Sequence, residues 1–208
     1  MKTLVNNLAF RHAYQGFFLL LMIAIPNITL GMTTLYNNQT GLTFTKLESW
    51  GVIAINLIIF YLTYLWAKSE GLMTRFRLDL KDAKAIIWGF LTIFLMGVIG
   101  SNLMLLTHTN YHAELQKTLT TTPILPVAIG MITAAFLQEI LFRKWIFTWL
   151  APYSKTAVLV STGLFCLFHM PTNLAYLTLY IGMGLALSMV YQKRENLSAS
   201  ITLHVLWN

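Results

Sequence analysis

Apolar residues in this chain come in long runs separated by short polar stretches, a pattern of membrane-length helices rather than period-two strands. The first run covers residues 16–36 and predicts a retained span kinked at Pro26, since no small-residue cleavage site follows it. A polar loop over 37–48 leads to a second span over 50–67. The charged segment 68–84 follows, with Leu72, Phe76, Leu78 and Leu80 among its charges, and reads either as a helix on the membrane surface or as a plain loop. A third span is expected over 85–106. The polar stretch 107–122 holds His108 and His112 at helical spacing, which without a third ligand reads as solvated. The fourth run, 123–150, has no Pro or Gly between Met131 and Leu150 and predicts one continuous helix. After a turn over 151–155, further spans are expected over 156–170, 174–191 and 197–208. The last is about 18 Å long and reaches only mid-membrane.

Composition fits this pattern. Hydrophobic residues make up 57% of the chain and charged residues 10%, with mean hydropathy +0.65, which excludes an ordinary soluble domain or a disordered chain. The expectation is an all-α polytopic membrane helical bundle of about seven spans. Residues 1–208 would form a single integral membrane domain, at home in the lipid bilayer of a cell membrane, and bacterial. The net charge of +7 would suggest nucleic acid in a soluble protein. Here it reflects cytoplasmic loops, and no nucleic-acid partner is expected: with the N-terminus inside, only Lys46 and Lys117 among the loop cations fall outside. The single cysteine, Cys166, excludes an internal disulfide and reads as apolar packing.

A few polar residues stand at depth. In the fourth run Glu139 lies one helical turn before Arg143, so the two share a face, and Gln138 is rotated about 100° from Glu139. A carboxylate near the centre of a span costs roughly 2.5–3.5 kcal/mol and persists with a partner or a task. The bland reading is a structural ion pair between helices. The fifth run adds Phe165 and His169, and the last adds His204 and Asn208, each pair four residues apart. Converging, these groups would supply a base, hydrogen-bond donors and a cation in a low-dielectric site, as acid–base chemistry on a carbonyl requires.

The ordered set Gln138-Glu139-x-x-x-Arg143, Phe165-x-x-x-His169 and His204-x-x-x-Asn208 resembles the CPBP family of intramembrane proteases. That family includes CAAX prenyl endopeptidases and bacterial relatives linked to bacteriocin processing and self-immunity, the lysostaphin-resistance-like branch among them. The resemblance covers roughly residues 123–208. It implies an intramembrane endopeptidase that hydrolyses membrane-associated peptides or proteins with an activated water. It further implies catalytic roles for Glu139, His169, His204 and Asn208, supported by Gln138, Arg143 and Phe165. His204 and Asn208 would donate to the oxyanion, and Arg143 would orient the acidic residue. The sequence lacks His-Glu-x-x-His, so a metal-free mechanism is expected; zinc held by Glu139, His169 and His204 is the alternative.

One departure bears on activity. The family's first Glu, held to activate the water, is Gln138 here, and an amide has no accessible basic form. Either Glu139 or His169 then serves as base, or the protein is slow or silent. The rival reading is a non-catalytic immunity protein that binds a peptide or its receptor. A small transporter comes third, lacking any two-fold repeat of spans.

Overall fold

The computed structural model describes residues 2–40, 43–73, 76–106, 122–151 and 153–208. Every regular element among them is helical, as the apolar runs predict. Five helices are long and apolar enough to cross a membrane: Asn7–Thr33, Lys46–Ser69, Leu80–Leu103, Ile124–Trp149 and Leu174–Arg194. Two further apolar helices, Ser154–Phe168 and Leu197–Trp207, are shorter. The chain is thus an all-α polytopic membrane protein, with five full-length helices where about seven spans were expected. His108 and His112 lie outside the described residues.

The helices fall into two compact units. The first comprises 1–71 and 110–138 and contains α1 (Lys2–Thr40), α2 (Lys46–Ser69) and the opening turns of α4 (Ile124–Trp149). Helix α1 continues through Pro26, and the side chains of Asn27 and Thr29 donate to the carbonyls of Ile23 and Ile25 in the turn that the proline interrupts. Thr45 and Glu48 form a reciprocal capping box, so α2 begins at Lys46 rather than at residue 50. At the other end of α2, Glu70 accepts from Arg11 at 3.0 Å and from Gln15 at 2.8 Å. The Phe18 and Trp66 rings pack 4.3 Å apart nearby, tying α1 to α2. The Gln15 amide and, beyond it, the Arg11 guanidinium hold the Glu70 carboxyl below its ordinary value of 4.5.

The second unit comprises 72–109 and 139–208. It contains α3 (Leu80–Leu106), the remainder of α4, α5 (Ser154–Phe168), α6 (Leu174–Arg194) and α7 (Leu197–Trp207). Helix α3 starts at Leu80 rather than residue 85. Asp79 and Asp82 exchange side-chain-to-backbone hydrogen bonds of 2.7 and 3.0 Å, and Arg194 pairs with both carboxylates. What looks in sequence like a charged loop is therefore in part a capped helix start. Helix α3 packs along α6, where Gly182 lets Met96 lie against the backbone. Helix α5 stops one residue before His169, and Met170 turns the chain in the left-handed region at φ 44°.

Candidate active site

Helices α4 and α7 of the second unit bring Glu139, Arg143 and His204 together. On α4, Glu139 and Arg143 stand one turn apart, and Arg143 Nη1 lies 3.1 Å from Glu139 Oε1. Both are completely buried. From α7, His204 Nδ1 reaches the same Glu139 oxygen at 2.8 Å, across 65 residues of sequence. A carboxylate between a guanidinium and an imidazole is the partnering that burial of such groups demands. The expected ion pair is present, and the carboxylate has a second partner besides.

Arg143 is fixed on its other sides as well. Its Nη2 donates to the Gly184 carbonyl of α6 at 3.3 Å, and its guanidinium carbon sits 4.5 Å from the centre of the Phe165 ring. Gly184 matters for its small size. A Cβ there would approach Thr162 Cγ2 to 3.1 Å and its Cα to 3.3 Å, so a side chain would push α5 and α6 apart. Sequence reasoning missed Gly184; its only signal is a small residue in an apolar run.

The fourth run is not one regular helix. Directly after Glu139 the chain widens into a π-helical stretch over Ile140–Trp145, then returns to α over Ile146–Trp149. Such stretches recur at functional sites. The Phe142 carbonyl within it accepts from Ser161 Oγ at 2.6 Å, and Ser161 accepts from Ser188 Oγ at 3.1 Å. Both serines are completely buried, so these hydroxyls tie the widened turn to α5 and α6. Without a Pro or Gly to mark it, the widening had no sequence signal.

His169 sits at the C-terminal cap of α5, partly buried. Its Nδ1 is 2.8 Å from the Phe165 carbonyl oxygen. A carbonyl only accepts, so Nδ1 carries the hydrogen and Nε2 is left with the lone pair. Phe165 lies between the two histidines, its ring 4.4 Å from that of His169 and 5.7 Å from that of His204. On its other side His169 stacks on Tyr180 of α6 at 4.5 Å, a neighbour the sequence did not reveal. Asn208 ends the chain with its backbone N–H bonded to the His204 carbonyl at 3.1 Å and its side chain exposed. Gln138 is buried, and its Oε1 has no hydrogen-bond partner among the described residues. Within the described residues no three His, Cys, Asp or Glu side chains are grouped to hold a metal ion.

A polytopic helical membrane protein with a buried Glu–Arg–His cluster drawn from the first and third of the ordered motifs defines a class, and comparison supports it. Residues 120–208 match the family model described as type II CAAX prenyl endopeptidase Rce1-like. The resemblance to CPBP proteases is thus borne out over the residues that carry the motifs. It is also similar to the UPF0177 protein YvdC of Lactococcus lactis subsp. lactis (strain IL1403), with 28% identity over 204 residues, 94% of this chain and 76% of that protein. No solved structure matches the chain.

Proposed function

We propose that the protein is an intramembrane endopeptidase that hydrolyses peptide bonds of membrane-associated peptides or proteins, acting in a cell membrane. The observation that carries the reading is the 2.8 Å contact between His204 and Glu139, both buried, from motifs 65 residues apart. The match of residues 120–208 to the Rce1-like family model supports it at the level of the family.

The proposed division of labour follows from hydrogen-bond roles. Glu139 is engaged by Arg143 and His204 at one oxygen, which makes it an orienting carboxylate rather than the base. His169 holds its proton on Nδ1 and has Nε2 to accept one from water, so it takes the base role. His204, backed by Glu139 at Nδ1, supports an imidazolium whose Nε2–H can donate to the oxyanion, the logic by which a carboxylate backs a catalytic histidine. Asn208, one turn later, is proposed as the second donor. A resident zinc fits poorly in this reading, because the carboxylate that would bind it faces a guanidinium at 3.1 Å. No step is assigned to a metal.

Gln138 occupies the position of the family's first Glu and lacks its basicity. General-base help is typically a factor of ~10²–10⁴ in rate. Gln138→Glu should therefore raise cleavage of a membrane-peptide library markedly, and adding His169→Ala should cancel the gain. Wild-type cleavage that Gln138→Glu leaves unchanged, but Glu139→Gln destroys, would make Glu139 the base.

A further inference from the structure

Apart from the buried cluster, the second unit carries a groove of about 570 Å³ between α3 and α6. Its composition changes along its length. The mouth is formed by Lys81 and Lys84 in the first turns of α3 and by Lys193 and Arg194 at the end of α6. Farther along the same helices the walls are Trp88, Val190 and Ala186. From Lys81 to Thr92, which also lines the groove, α3 rises about 16 Å. Ala85, Gly89 and Ala186 are the small residues of its lining, and Gly89 packs directly against Leu203 and Val190.

The charges at the mouth are unequal in their commitments. Arg194 is taken by Asp79 and Asp82 at 2.9 and 2.7 Å, and Asp82 also accepts from Asn196 at 2.8 Å. Asp79 and Asp82 are therefore already satisfied, and Glu195, the next carboxylate of this end, lines a different cavity with Lys144 and Tyr191. Lys81, Lys84 and Lys193 make no ion pair among the described residues. Beyond them the wall is apolar, with Trp88 70% and Met189 57% exposed. Three lysines without an ion pair among the described residues, above an apolar trough, match a molecule with an anionic head and a hydrocarbon tail, and a tryptophan at that level suits a membrane interface.

We propose that this groove binds one anionic glycerophospholipid, its phosphate among Lys81, Lys84 and Lys193 and an acyl chain along Trp88, Val190 and Ala186. The site is separate from the Glu139 cluster and does not depend on the protein's being a protease. Its test is lipid titration of the delipidated, full-length protein in detergent, read by native mass spectrometry, with phosphatidylglycerol and phosphatidylcholine of matched chains. Phosphatidylglycerol should give a saturable one-to-one adduct that phosphatidylcholine does not. Lys81→Gln/Lys84→Gln/Lys193→Gln should weaken it about a hundredfold, from the worth of three lysines near an anionic headgroup. Lys46→Gln/Lys68→Gln/Lys155→Gln should leave it unchanged. Chain-brominated phosphatidylglycerol should quench a component of the tryptophan emission that Trp88→Phe removes. Equal loss in the two triple variants would reduce the effect to diffuse attraction by basic loops and overturn the site. So would equal binding of both lipids, displacement by inorganic phosphate alone, or an acidic peptide binding where the lipid does not.

Discussion

Replacing Arg143 by leucine tests the buried cluster most sharply. The change removes the 3.1 Å ion pair to Glu139, the 3.3 Å hydrogen bond to the Gly184 carbonyl and the 4.5 Å stacking on Phe165. Breaking a fully buried pair by deleting one partner costs roughly 3–5 kcal/mol, because the surviving charge is left uncompensated. Here Glu139 keeps His204 at 2.8 Å, so the loss should sit near the lower end, about 3 kcal/mol. For a chain of this size each kcal/mol lowers the midpoint by about 2–4 °C, which gives a drop of roughly 6–12 °C. Neutralising the stranded carboxylate should recover more than half of that, so Glu139→Gln/Arg143→Leu should unfold at a higher temperature than Arg143→Leu alone. Size-exclusion profiles of heated, detergent-solubilised protein would measure it, with Lys155→Leu as the surface control. Equal midpoints for wild type and Arg143→Leu, or additive losses in the double variant, would refute the reasoning.

Ser161→Ala should strip the Phe142 carbonyl of its donor inside the π-helical stretch and cost about 1–3 kcal/mol, visible as a lower midpoint in the same assay. Glu70 supplies a pH dependence in the first unit. Its carboxyl is held below the ordinary 4.5, chiefly by Gln15, so its contribution is present above that pH and is lost as the pH falls through the folded value. The midpoint of wild type should therefore exceed that of Glu70→Gln at neutral pH, and the gap should close in acid. A gap that persists well below pH 4 would contradict the assignment.

Much of this architecture was legible because hydrocarbon allows few solutions: a long apolar run without charge is a helix. The motif residues were legible for the same reason, since Glu139, Arg143 and His204 stand out against apolar neighbours. The start of α3 was harder, because Asp79 and Asp82 serve as caps and as partners of Arg194, more than 110 residues away, a use that charge alone does not reveal. The widened turn after Glu139 had no local signature at all. It is recorded in the Ser161 and Ser188 hydroxyls of two other helices. Likewise the Gly184 carbonyl that holds Arg143 is a backbone group, invisible to any reading of side chains.

The central claim is hydrolysis by an activated water, and isotope incorporation tests it directly. Purified wild-type protein, reconstituted in lipid with a library of membrane-anchored peptides, would be incubated in water enriched in oxygen-18. The account predicts fragments whose new C-terminal carboxylates carry one oxygen-18 atom, at a rate that His169→Ala and His204→Ala each reduce by at least about 10²-fold. Folded wild-type protein and folded Gln138→Glu that both yield no labelled fragment, while still retaining peptide, would contradict it and make the chain a binding protein.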